Sequence, residues 1–224
     1  PIWKLSDIPS GFDFDLGNRL HLRVDRRWRR GVLGLAGSGA APKSLCAFRH
    51  PLLELLFLHL LPSRGGLLLH ASGVEHEGRA LLFVGRSGAG KTTLARLWKQ
   101  AFPATQSLSD DRCILRRGKG GWQAYGTPWG GRGQVAEPVS LPLGGVFVLK
   151  QSRTLSLRTL TPREAIEALQ PCHLMPYWLR DLAGRGAENL GRLLSAVPIK
   201  EFGFPKEARS ARWLAQALEP VSNT

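Results

Sequence analysis

Gly85-Arg86-Ser87-Gly88-Ala89-Gly90-Lys91-Thr92 is the stretch whose reading decides the fold. It fits G-x-x-x-x-G-K-[ST], a loop that wraps phosphate in backbone N–H groups. Before it, residues 80–84 (Ala-Leu-Leu-Phe-Val) form a short apolar run that predicts a buried strand. After it, Thr93-Leu94-Ala95-Arg96-Leu97-Trp98 opens a helical pattern, with apolar residues at 94, 97 and 98. Strand, glycine loop and helix start together place inward-pointing amides and a helix N-terminus where an anion can sit. The glycines allow close backbone approach. Lys91 is expected to reach the β/γ-phosphates, and the Thr92 hydroxyl to ligate Mg²⁺ with Thr93 one step behind. Gly85, Arg86, Ser87, Gly88, Ala89, Gly90, Lys91, Thr92 and Thr93 are thus the predicted contacts of a nucleoside triphosphate.

Around that loop the chain has 224 residues, 43% of them apolar, enough for one sizeable core. The longest apolar run, 52–61, contains Glu54 and His59 and is too short to cross a membrane, so no membrane partner is expected. The first ten residues lack a basic start followed by an apolar segment, so no secretory signal is expected. Cys46, Cys113 and Cys172 are odd in number, widely spaced and without a metal-ligand pattern, which predicts a reduced, cytoplasmic setting. The net charge of +14 raises nucleic acid as a partner. The only dense cluster, Arg26-Arg27-Trp28-Arg29-Arg30, reads better as a turn between strands, and nucleic acid is not expected.

Residues 12–24 alternate loosely around Gly17-Asn18 and predict a hairpin. The Gly/Ala-rich stretch 31–41 predicts a loop, and 51–61 a leucine-rich helix with Pro51 at its first position. Strands are expected at 67–71, 80–84, 113–115, 122–125, 145–149 and 198–204, with an edge strand near 155–157. Gly118-Lys119-Gly120-Gly121 predicts a hairpin turn, and 127–133 a long glycine-rich loop. Thr161-Pro162-Arg163-Glu164 is a capping box that starts a helix running to about Leu169. Two short helices are expected at 173–183 and 187–196, and a closing one at 207–218. The expected organisation is a single α/β domain over 1–224. Residues 1–63 make its β-rich N-terminal portion plus a helix, and 64–224 its catalytic core.

Phosphoryl transfer needs a placed nucleotide, neutralised charge and an oriented acceptor hydroxyl. A carboxylate beside the γ-phosphate meets the last need by taking the hydroxyl proton. Asp110 and Asp111 suit that position. Neighbours on an extended segment point opposite ways, so one would face the acceptor and the other a metal or a neighbouring loop. Arg132, between glycines, is a candidate charge clamp on phosphate or acceptor, because a guanidinium matches phosphate bidentately. Glu137 is a candidate further metal contact.

Taken in order, Leu67-Leu68-Leu69-His70-Ala71-Ser72-Gly73-Val74, the glycine loop and Leu108-Ser109-Asp110-Asp111-Arg112 resemble the catalytic domain of the HPr kinase/phosphorylase family. The resemblance covers roughly 64–150 and is closest to short, catalytic-domain-only members, some of them peptide-tailoring kinases. It implies a P-loop core of the HPr kinase and phosphoenolpyruvate carboxykinase type, with a mixed β-sheet. It further implies ATP and Mg²⁺ as cofactors, Asp110 as general base, Asp111 as a metal contact, and His70 near the phosphates. The stretch 127–133 is only a loose analogue of that family's Glu-x-Arg-Gly-[apolar]-Gly segment, so HPr as acceptor and the reverse reaction do not carry over. The expected function is an ATP-dependent kinase that phosphorylates a Ser/Thr hydroxyl of a peptide or small protein. A regulatory P-loop ATPase and a kinase of a small-molecule hydroxyl are the alternatives, and a homo-oligomer is left open. No Asn-Lys-x-Asp guanine motif occurs, and 107–110 is a poor apolar run for an ATPase strand.

Overall fold

The computed structural model describes residues 4–15, 20–35, 52–131 and 135–218. The predicted Gly17-Asn18 turn, Pro51 and Arg132 lie outside these residues. The chain divides into two compact units, Pro1–Leu60 and Leu61–Thr224.

In the first unit, β1 (Lys4–Ile8), β2 (Gly11–Asp15), β3 (Leu20–Asp25) and β4 (Gly31–Leu35) form an antiparallel sheet in sequence order. Alternation drives it: Phe12, Phe14, Leu22 and Val24 all turn to the buried face. The stretch 31–41, predicted as loop, supplies β4 from its first five residues. Gly31 permits this, because a Cβ there would lie 2.9 Å from the Val24 side chain and 3.0 Å from the Arg23 carbonyl. The helix α1 (Leu52–Leu60) follows. The arginine cluster is a turn joining β3 to β4, in which Asp25 Oδ1 accepts from the Arg29 N–H at 2.8 Å. Arg26 is bound to Asp7 at 2.8 Å. Trp28 stacks on His59 with ring centroids 4.0 Å apart, so its face is spent on packing rather than offered to a base.

The second unit carries β5 (Gly66–His76), β6 (Arg79–Val84), α2 (Lys91–Ala101), β7 (Ser107–Ser109), β8 (Arg112–Gly118), β9 (Gly121–Tyr125), β10 (Ser140–Gln151), β11 (Ser156–Thr159), α3 (Pro162–Leu169), β12 (His173–Leu174), α4 (Arg180–Ala196), β13 (Ile199–Phe204) and α5 (Arg209–Gln216). This is a mixed α/β sheet in the order β11-β13-β10-β6-β5-β8-β9. β6, β10 and β13 run parallel, while β5, β8, β9 and β11 pair antiparallel to their neighbours. β6 shows why the sheet has helices on both faces. Ala80, Leu82 and Val84 join one core with Leu169 of α3 and Leu193 of α4, and Leu81 and Phe83 join another with Trp98 of α2 and Leu214 of α5. Trp98 is fully buried, with its indole N–H bonded to the Glu75 carbonyl at 3.1 Å. Such a side chain contributes about 3–5 kcal/mol against truncation to Ala.

The Thr161 capping box forms, with Glu164 returning a bond to the Thr161 N–H at 2.9 Å. The region 173–196 departs from the two predicted helices. His173 and Leu174 pair with Leu69 and Leu68 of β5, and one helix then runs from Arg180 to Ala196. Gly184 and Gly186 suggest a break, but Gly186 is needed for packing. A Cβ there would lie 2.8 Å from Met175 Sδ. The close approach of α4 to the β12 segment outweighs the roughly 1 kcal/mol helix penalty of glycine.

Candidate active site

Val84 ends β6, and the chain turns through Gly85–Gly90 into α2. The turn closes with the Ala89 N–H bonded to the Arg86 carbonyl at 3.1 Å. Gly88 and Gly90 hold φ of 83° and 107°, where a side chain would be strained. At Gly90 a Cβ would also lie 3.0 Å from the Phe204 ring. Gly90 is the N-cap of α2 and offers no side chain to bond the first helical amides, so those amides and the positive end of the helix dipole suit an anion. Lys91 is buried, and its Nζ donates to the Gly85 carbonyl at 2.8 Å and the Arg86 carbonyl at 3.3 Å. Burial holds its ammonium below the usual lysine range.

The two aspartates sit where β7 ends and β8 begins, both strands pairing with β5. The interruption is held by β5: the Ala71 N–H bonds the Asp111 carbonyl at 3.0 Å, and Ser72 Oγ bonds the Asp110 carbonyl at 3.0 Å. Asp110 is buried, and its Oδ1 accepts from the Gly131 N–H at 2.7 Å and the Val135 N–H at 3.3 Å. Asp111 Oδ1 lies 3.2 Å from His70 Nε2, and its Oδ2 is paired with Arg112. Burial, then the charges of Lys91 and Arg112, hold the His70 imidazole below its ordinary pKa.

A cleft of about 470 Å³ joins these pieces. His70, Ser87, Gly88, Gly90, Lys91, Thr92, Thr93, Asp110 and Asp111 all line it, with Gly131 and Lys206. Gly85 is buried, Ala89 half-buried and Arg86 exposed. Glu137 is exposed and is not among the described residues that line the cleft, although its N–H bonds the Leu108 carbonyl at 3.1 Å. Among the described residues, no three His, Cys, Asp or Glu side chains group to hold a metal ion. The arrangement sets an ammonium and a helix N-terminus across one cleft from a carboxylate pair.

A family model described as "ScmC: SynChlorMet cassette protein ScmC" matches residues 52–180, which include the glycine loop and both aspartates. The chain belongs to the ScmC family. No curated protein matches it. Among solved structures, the HPr(Ser) kinase/phosphatase from Coxiella burnetii is similar at a TM-score of 0.38 and 10% identity, over 66% of this chain and 91% of that one. Among the described residues, no helix is long and apolar enough to cross a membrane.

In this ScmC-family chain, three site residues escape sequence reasoning. Arg112 is adjacent to the aspartate pair, yet nothing local announces that it would clasp Asp111. Gln151, at the end of β10, bonds the Gly88 carbonyl at 2.6 Å. Lys206 follows β13 and lies outside the matched segment. The signal that could have found the last two is topological. β6, β10 and β13 are parallel, so their C-terminal ends share one edge of the sheet.

Proposed function

We propose that the chain is an ATP-dependent phosphotransferase that moves the γ-phosphate to a Ser/Thr hydroxyl of a peptide or small protein. The observation that carries the reading is the single cleft shared by Lys91, the start of α2 and Asp110. The amides of 85–91 and the Lys91 ammonium would receive the phosphates. Mg²⁺ suits the oxygen donors present: the Thr92 hydroxyl and the Asp111 carboxylate would hold it with phosphate oxygens, a set in keeping with the few protein ligands this ion takes. When bound, it would neutralise charge on the transferring phosphoryl group.

Asp110 takes the acceptor proton in this reading. The hydroxyl oxygen forms a bond to the γ-phosphorus, the bond to the β-phosphate oxygen breaks, and ADP leaves. The Gly131 and Val135 amides fix the Asp110 carboxylate so that it does not swing with each turnover. Arg112 and His70 hold Asp111 from two directions. His70 would orient Asp111 rather than act as the base. The family description names a cassette and no activity.

The test is γ-labelled ATP with Ser/Thr-containing peptides encoded beside the gene, for wild type and Asp110→Asn. Label on peptide hydroxyls with wild type, and a loss of about a thousandfold with Asp110→Asn, is the expected result. Asn keeps the oxygen that accepts from Gly131, so binding of ATP should change by less than about threefold. Label appearing only as inorganic phosphate, whatever peptide is present, would favour the regulatory ATPase instead.

A further inference from the structure

Three parallel strands end at the cleft, and each delivers something to the glycine loop. β6 runs directly into it. β10 ends at Gln151, which bonds the Gly88 carbonyl. β13 ends at Phe204, whose ring packs 3.0 Å from the place a Gly90 Cβ would occupy. Two residues later comes Lys206, with its Cε 3.7 Å from that same place. The stem of Lys206 therefore lies at the first turn of α2, and the side chain lines the cleft with Lys91, Thr92 and Asp110.

The turn that carries Lys206 is fixed from beneath. Ser210, fully buried, donates its hydroxyl to the Pro205 carbonyl at 2.7 Å. The Glu207 N–H bonds the same carbonyl at 2.8 Å, and the Ser210 N–H bonds the Glu207 carbonyl at 3.0 Å. Phe204 on one side and Ser210 on the other thus hold the backbone in register with the loop. In the strand order β13-β10-β6-β5-β8, Lys206 approaches the loop from the flank opposite the aspartates.

We propose that Lys206 is a second cationic contact to the terminal phosphate of the nucleotide, and that it makes the cleft prefer a triphosphate over a diphosphate. This rests on the nucleotide reading given above. Lys91 is tethered to the carbonyls of Gly85 and Arg86, within the loop itself. Lys206 comes from a separate element, so its contact can depend on a terminal phosphate while the loop amides hold the rest. Charge-assisted bonds to phosphate are strong enough for one lysine to be read in a binding curve.

The experiment is calorimetric titration of wild type, Lys206→Ala and Lys206→Arg with MgATP and with ADP. Lys206→Ala should weaken MgATP about tenfold and ADP by less than about twofold, and Lys206→Arg should recover most of the loss. Equal affinity of wild type and Lys206→Ala for MgATP would overturn the proposal and leave the nucleotide reading standing. Equal weakening of MgATP and ADP would also overturn it, by showing that Lys206 only buttresses the loop. Wild-type protein that binds neither nucleotide would overturn the nucleotide reading and the proposal together.

Discussion

On the β6 flank of the cleft, the groups that face it are largely backbone: the amides that open α2 and a loop whose glycines sit at positive φ. On the β7–β8 flank they are side chains held by other side chains and by distant amides. Asp111 is clasped by His70 and Arg112, and Asp110 by the N–H groups of Gly131 and Val135. In the proposed function a main-chain phosphate cradle would depend on a few glycines and one lysine, all within eight residues. The acceptor-facing carboxylates would instead depend on β5, β8 and the loop before β10, which meet only in the folded sheet.

The largest expected effect breaks the first flank. Lys91→Ala should weaken MgATP binding by at least a hundredfold, read by calorimetry, because a buried cation is removed from the cradle. Retained affinity would mean that the loop does not receive phosphate. Gly90→Ala probes the same flank through the main chain. Its φ of 107° and the 3.0 Å approach to Phe204 predict a loss of about 1–3 kcal/mol in stability and about tenfold in MgATP affinity. An unchanged melting temperature and an unchanged affinity would show that the loop tolerates a side chain.

The smallest effect concerns what supports the other flank. His173 pairs with Leu69, the neighbour of His70, and is buried with its Nδ1 lacking a hydrogen-bond partner among the described residues. Burial pushes its pKa down to about 4. Because the folded value is depressed, the unfolded chain binds more protons between about pH 4 and the ordinary 6.5. His173 therefore costs nothing well above pH 6.5 and destabilises progressively as pH falls through that window. Between pH 7 and pH 5 the wild type should lose roughly 2 kcal/mol more than His173→Phe, followed by denaturant unfolding at each pH. Parallel losses in the two proteins would contradict the assignment.

Local features are the most legible from sequence, and most non-local ones are not. The glycine loop and the Thr161 capping box are written in consecutive residues, and both fold as those residues dictate. The order of His70, the loop and Asp110-Asp111 was also readable, because β5, β6 and the β7–β8 pair lie side by side in the sheet. What failed did so for tertiary reasons. β4 hid behind Gly31 and Gly34, because the cross-strand approach to β3 needs the glycine at 31. α4 hid behind Gly186, which is there for Met175. Glu137 lies exposed with its backbone N–H bonded to β7, a placement that its position in the sequence does not announce. Lys206 lies more than a hundred residues after the loop it reaches, and only the parallel run of β6, β10 and β13 brings it back.

One cleft is proposed to carry both the phosphate cradle and the base. The most direct measurement is single-turnover transfer from γ-labelled ATP to an accepted peptide, made beside MgATP titration of the same proteins. Asp110→Asn should bind MgATP as wild type does and transfer almost nothing, while Lys91→Ala should fail at binding. Transfer by Asp110→Asn at the wild-type rate would remove Asp110 from the role of base.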